Sequence, residues 1–330
     1  MRIALFGLGF MGATHLNGIL SIPGLELGAV VDAVPERLEG DLSGIQGNIG
    51  GPGGRYDFSK AARYTDPWAA LADPTIDAVD LCLPTHLHKP LAVEALRRGK
   101  HVLVEKPMAL DPNECAGMIA AAKSAGRVLM VAQVLRFFPA YCALGEILQS
   151  GRLGAVRSAL FRRRCAAPTW QRWVYDAATS GGGVFDLVIH DVDQCLRLFG
   201  KPERVSATGC EDLERGIDQI TGTLHYPGLS VVVTGGWHHP KSFPFSMEFT
   251  VVCDGGTLEY SSAGRPLTIY RADGEVEPVE TGETDAYRAE IEYFAACCRD
   301  GSPPAACPPE ESAQAVALTL EMAAARRPAA

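Results

Sequence analysis

Ile3-Ala4-Leu5-Phe6-Gly7-Leu8-Gly9-Phe10-Met11-Gly12 is an apolar run that breaks into three spaced glycines, and its reading decides the fold. Ala13 to Leu20 continues with helical composition, so the pattern is G-x-G-x-x-G placed after a strand and opening a helix. Glycines in that context allow a tight turn and close backbone approach, and they leave amide groups at a helix N-terminus to hold a pyrophosphate. Leu27 to Val31 reads as a second strand and ends at Asp32, at the spacing of about 20 residues where a carboxylate meets the adenosine ribose. An acidic group there repels a 2′-phosphate, so NAD is expected in preference to NADP. Gly7, Gly9, Phe10, Met11, Gly12 and Asp32 are the expected cofactor contacts on this stretch.

Outward from it, apolar runs alternate with helical segments. A helix runs from Asp66-Pro67 to Leu71, and Ala78 to Leu83 forms a strand that ends at Pro84-Thr85-His86-Leu87-His88. A helix carrying Leu91, Val93, Ala95 and Leu96 stops at Gly99; then Val102-Leu103-Val104 ends on Glu105-Lys106-Pro107. A helix opening at Asp111-Pro112 and a strand from Val128 to Ala132 follow. This β-α-β alternation predicts a doubly wound parallel sheet. A buried strand of such a sheet delivers its carboxyl end into the ligand crevice, which makes Lys106 the first candidate for chemistry. An arbitrary lysine beside a glutamate is more often a solvated ion pair, and that reading stays open here. His86 and His88 form an H-x-H pair without a third ligand nearby, so no metal is expected.

Composition shifts beyond residue 130 to 150. Ala155 to Phe161, Ile220 to Tyr226, Ser230 to Thr234 and Glu248 to Cys253 alternate as antiparallel strands with one covered face, and helices over Tyr287 to Cys298 and Glu310 to Ala325 close the second domain. Residues 1–135 are therefore expected to bind the dinucleotide, and residues 136–330 to form a second domain built on antiparallel strands with one covered face. Within it, Ser180-Gly181-Gly182-Gly183 precedes a helix from Val184 to Phe199. Val184, Val188, Val192, Cys195 and Phe199 make its core stripe, whereas Asp186, His190, Asp193 and Arg197 share another. Asp186 and His190, four residues apart, can touch, and a carboxylate beside an imidazole suits proton transfer near neutral pH. From the helix alone, a surface pair is an equal reading. Trp173 belongs to a pocket or to the core, His238 and His239 to a strand edge, and Arg162-Arg163-Arg164 to a solvated rim.

The whole chain bounds the function. Its 330 residues suit two domains, 47% of them are apolar, and the formal charge of -9 disfavours nucleic acid and anionic membranes as partners. The N-terminal run is too short for a secretory signal, and no membrane span is evident. Ten irregularly spaced cysteines without a C-x-x-C read as reduced thiols of a cytoplasmic protein. The glycine-rich residues 44–54 read as a flexible loop near the adenosine end.

Gly7 to Gly12 with His15, Pro84-Thr85 with His88, Glu105-Lys106-Pro107, and Gly181 to Gly183 leading to Asp186 and His190 occur in one order. Together with the Tyr287 to Gly301 stretch, they resemble the glucose–fructose oxidoreductase, inositol dehydrogenase and rhizopine-catabolism (Gfo/Idh/MocA) family over nearly the whole chain. The resemblance implies a doubly wound Rossmann domain followed by an α+β domain with a large, mostly antiparallel open sheet, whose open face joins subunits into a homodimer or homotetramer. It implies hydride transfer between the nicotinamide and a hydroxyl or carbonyl of a sugar or inositol-like polyol. Lys106, Asp186 and His190 would be catalytic, and Lys106 would also touch the cofactor together with Pro84, Thr85, His88 and Glu105. Arg136, Trp173, Asp186 and His190 would meet the substrate. Gln133 stands where relatives often carry histidine or asparagine. A cofactor-binding sugar sensor on the same fold is the alternative.

Overall fold

Residues 1–47, 53–170 and 172–327 are described by the computed structural model of the protein, and every count below is of those residues. Part of the expected loop at 44–54, residues 48–52, lies outside them. The chain divides into two compact units, Met1–Val134 with Asp285–Ala313 and Leu135–Thr284 with the segment from Gln314 onward.

The first unit holds β1 (Arg2–Phe6), α1 (Phe10–Ser21), β2 (Glu26–Val31), β3 (Ala62–Tyr64), α2 (Pro67–Leu71), β4 (Ala78–Leu81), α3 (His88–Arg97), β5 (His101–Glu105), α4 (Pro112–Ala125) and β6 (Leu129–Ala132). Its six strands are parallel in the order β3-β2-β1-β4-β5-β6. Strand order reverses between β1 and β4, which opens a crevice beyond their carboxyl ends. Local chemistry sets the helix starts. Asp66 and Asp111 cap α2 and α4, their carboxylates accepting from the Trp68 and Asn113 N–H groups at 3.0 and 2.7 Å, and proline fills the first helical position of each.

The second unit holds α5 (Pro139–Ser150), β7 (Val156–Cys165), α6 (Ala177–Ser180), a π-helical turn over Val184–Val188, α7 (Ile189–Phe199), β8 (Arg204–Asp212), β9 (Ile217–Tyr226), β10 (Leu229–Trp237), β11 (Ser246–Cys253), β12 (Gly256–Ser261), β13 (Arg265–Arg271) and β14 (Val276–Pro278). After them come α8 (Ala286–Asp300), α9 (Pro309–Ala325) and β15 (Arg326–Arg327). The nine-stranded sheet runs β14-β13-β12-β11-β7-β10-β9-β8-β15; β7 with β10 and β8 with β15 are parallel pairs, and the other neighbours are antiparallel. Alternation decides which face is covered: Asp218, Ile220, Gly222 and Leu224 of β9 are buried, while Gln219, Thr221 and Thr223 stay partly open.

Two expectations need correction. The residues 285–313 were expected in the second domain, yet they pack with the first unit. A Cβ at Gly18 of α1 would stand 2.8 Å from Ile291 Cδ1, so α8 lies directly on α1 and buries Ile291, Phe294 and Ala295. An amphipathic helix shows that it packs, but not on which sheet it does so. The continuous helix expected from Val184 to Phe199 instead opens with the π-helical turn, which alters the spacing of Asp186 relative to His190. Among the described residues no helix is long and apolar enough to cross a membrane.

Truncating a fully buried isoleucine at such a contact leaves a cavity. Ile291→Ala is expected to destabilise the protein by about 2–5 kcal/mol, read by urea unfolding of the intact chain. An unchanged midpoint would show that α8 contributes nothing to the first unit.

Candidate active site

In the first unit the site begins where Gly7 leaves β1 with φ +87°. A Cβ on Gly12 would stand 1.8 Å from the Gly7 carbonyl oxygen, so nothing larger than glycine fits without moving the loop. Gly9 caps α1 without any side-chain hydrogen bond, leaving the first-turn amides of a helix that opens on the crevice. Phe10 and Met11 are half-buried beside them, and a Cβ at Gly47 would meet the Phe10 ring. At the far end of the edge, the buried amide of Gln133 after β6 has neither atom hydrogen-bonded among the described residues. The glycine cradle, the uncapped helix and this orphaned amide fit a dinucleotide laid along the strand ends.

Asp32 follows β2 and is nearly buried. Its Oδ2 accepts the Leu8 N–H at 2.7 Å and its Oδ1 the Val34 N–H at 2.8 Å, while Arg37 Nη1 lies 3.2 Å from Oδ2. The carboxylate thus braces the glycine loop as well as facing the crevice.

Pro84 and Lys106 are half-buried after β4 and β5, and Thr85 is buried. The Lys106–Pro107 peptide is cis. Two residues expected against the cofactor are occupied elsewhere. His88 is 0% exposed, with Nδ1 2.9 Å from the Pro107 carbonyl oxygen and Nε2 2.8 Å from that of Leu83, so it ties the ends of β4 and β5 together. Burial holds its pKa down, against the two carbonyl contacts. Glu105 turns its carboxylate inward, where Oε2 accepts the Lys106 N–H at 2.9 Å and Oε1 lies 3.2 Å from His15 Nε2.

In the second unit the glycine run bends with φ +74° at Gly181 and +76° at Gly182, and a Cβ at Gly182 would stand 2.5 Å from Asp218 Oδ2. Asp218 Oδ2 accepts the Val184 N–H at 3.0 Å and so fixes the start of the π-helical turn; Asp218 also pairs with Arg326. Burial raises the Asp218 pKa, with Val184 and Arg326 opposing. Asp186 is half-buried and accepts the Trp237 Nε1 proton at 3.3 Å. His190 is nearly buried one step on, in the first turn of α7, and Trp173 is half-buried in the short turn before α6. Trp237 is fully buried and supports Asp186.

Both basic expectations in this unit change. Arg136 closes its fork on Asp193, Nε to Oδ2 at 2.9 Å and Nη2 to Oδ1 at 2.7 Å, with side chains only 2% and 1% exposed. A guanidinium gripped in this way supports α7 where a substrate contact was expected. Arg163 is no solvated rim residue: it is 3% exposed and grips Asp191, Nε to Oδ2 at 3.0 Å and Nη2 to Oδ1 at 3.1 Å. Arg162 and Arg164, on the other face of β7, share Glu248 of β11. Sequence reading missed Asp191, Asp218 and Trp237 as supports; their only signal was a carboxylate or an indole on an otherwise apolar stripe.

Two family models match the chain. One, described as an oxidoreductase family with an NAD-binding Rossmann fold, covers residues 1–133, and one for the GFO/IDH/MocA C-terminal domain covers residues 141–259. A D-xylose 1-dehydrogenase (NADP(+)) of Haloferax volcanii is 30% identical, the match covering 87% of this chain and 90% of that one. A scyllo-inositol 2-dehydrogenase (NAD(+)) of Bacillus subtilis is 27% identical, over 92% of this chain and 88% of its own. The solved structure of a levoglucosan dehydrogenase in complex with NADH and levoglucosan shares the fold, with a TM-score of 0.83 at 20% identity over 98% of this chain and 96% of that one.

The pairing of Arg136 with Asp193 gives a direct expectation. Asp193→Ala strands a buried guanidinium and should destabilise the protein by about 3–5 kcal/mol in urea unfolding. A loss below about 1 kcal/mol would mean that the pair is not desolvated.

Proposed function

The chain belongs to the Gfo/Idh/MocA oxidoreductase family, and from that premise we propose that it moves a hydride between a nicotinamide and a secondary hydroxyl or carbonyl of a sugar or inositol-like polyol. The observation that carries the reading is the place of Lys106, half-buried at the carboxyl end of β5 on the sheet edge that bears the glycine cradle. When bound, the nicotinamide supplies the hydride chemistry. The unit of residues 1–134 with 285–313 holds the dinucleotide, through Gly7 to Gly12, Asp32, Pro84 and Thr85. Lys106 donates a hydrogen bond to the reacting oxygen and stabilises the alkoxide that develops as the hydroxyl loses its proton. His190 takes that proton during oxidation and returns it during reduction. Asp186, steadied by Trp237, orients the imidazole. Trp173 offers an aromatic face to the sugar ring.

NAD is the preferred dinucleotide in this reading, because the Asp32 carboxylate opposes a 2′-phosphate. Arg37 beside it is the group through which NADP would be accepted, and the relatives named above include one enzyme of each type. Thr221, Thr223, Val232 and Thr234 on the less covered sheet face support a homodimer or homotetramer formed through that sheet. The ten cysteines, all free thiols, support a cytoplasmic location.

A screen of sugars and polyols with NAD, followed by NADH absorbance, tests the assignment. Lys106→Met and His190→Ala are each expected to lower kcat at least about 100-fold while NADH still binds. Near-wild-type turnover in both variants would refute the mechanism, and NADH binding without turnover on the panel would favour a sensor. Asp32→Ser should weaken NADH binding about tenfold and strengthen NADPH binding, as read by fluorescence titration; an unaltered ratio would remove Asp32 from cofactor choice.

A further inference from the structure

Behind the Lys106 turn, inside the first unit, lies a group of titratable side chains that the mechanism above leaves unused. His15 of α1 is fully buried. Its Nδ1 lies 2.9 Å from Asp80 Oδ2 of β4, and its Nε2 lies 3.2 Å from Glu105 Oε1 of β5 and 3.7 Å from Glu290 Oε1 of α8. Cys82 Sγ lies 3.6 Å from the other Asp80 oxygen. Both imidazole nitrogens therefore face carboxylates. Nδ1 is hydrogen-bonded to Asp80, whereas Nε2 makes no hydrogen bond among the described residues and meets Glu105 and Glu290 through charge alone; a neutral ring would turn a lone pair on one side, whereas an imidazolium presents a positive N–H to both. Burial opposes that charge, but the Asp80 carboxylate beside the ring raises the His15 pKa well above its ordinary value.

Three carboxylates around one cation would leave two uncompensated charges in the interior, which is prohibitive unless one carboxyl keeps its proton. Glu290 is that carboxyl. It is 0% exposed, and neither of its oxygens has a hydrogen-bond partner among the described residues. Burial pushes its pKa well up, with His15 opposing. What remains is an imidazolium between two carboxylates, and one of them, Glu105, uses its second oxygen to accept the Lys106 N–H.

We infer that His15 is a positioning residue for Lys106: protonated on both ring nitrogens, it clamps the Glu105 carboxylate and so joins α1, which opens with the glycine cradle, to the turn that presents the lysine. The inference rests on the role proposed for Lys106. His88 secures the same turn from its other side through the Pro107 carbonyl, so the lysine backbone is fixed at two points.

Two measurements test this. Nitrogen-15 NMR of the histidine-labelled full chain, with His15 assigned by its absence in His15→Gln, should show two protonated ring nitrogens at neutral pH and above, past the ordinary histidine pKa. A bare ring nitrogen at neutral pH overturns the inference, whatever the activity of the protein. In kinetics, His15→Gln should lower kcat about 10- to 100-fold, with KM and the NADH Kd moving less than about threefold. In the Lys106→Met background the same change should have almost no further effect, because the clamp acts through the lysine. Glu105→Gln, a closer match in shape, should show the same non-additivity. Equal losses in both backgrounds overturn the inference. If wild-type enzyme oxidises nothing on the panel, the function proposed above fails, and the NMR result alone decides the clamp.

Discussion

The approach of Gly12 to the Gly7 carbonyl oxygen is the constraint on which the first unit depends. It lets α1 start directly at the end of β1, and one turn later the same helix carries His15 inward against Asp80. A side chain at position 12 would tilt the helix away and separate both contacts. Because β1, β4 and β5 are parallel neighbours, their carboxyl ends lie on one edge, so a single backbone contact sets the relation of glycine loop, aspartate and lysine.

The second unit is organised around α7 in a comparable way, but by charge. Asp191 and Asp193 face different partners, Arg163 from β7 and Arg136 from the turn before α5, and each is gripped at two points. Burial pushes the Asp191 carboxyl up, and Arg163 restrains it. Buried ion pairs of this kind are weak evidence for stability, since desolvation offsets much of their attraction. Their effect is directional: α7 can seat on the sheet in one rotation only, and that rotation sets where His190 points.

Much of this was legible in the sequence, wherever chemistry is local. The β-branched runs, the Asp-Pro helix starts and the glycines after β1 and before the π-helical turn each announce a structure through their own sterics or hydrogen bonds. The partners brought from afar were not legible. Nothing in Arg162-Arg163-Arg164 distinguishes the middle arginine until Asp191 is opposite it. Spacing placed Asp186 on the stripe of His190, but the π-helical turn between them depends on Asp218, far along the chain. His88 was expected against the cofactor only through the family resemblance; here both of its nitrogens lie against backbone carbonyls brought from two strand ends.

The return of residues 285–313 to the first unit has a consequence for how the protein comes into being. A ribosome releases β1 to β6 early, yet α8, which covers α1 and supplies Glu290, follows only after the whole sheet of the second unit has been made. At about 5–20 residues per second, that interval lasts many seconds. Throughout it, Gly18 and its neighbours on α1 lack their covering helix, and His15 lacks one of its three carboxyl neighbours. The nascent dinucleotide-binding unit is thus an incomplete core awaiting its last piece.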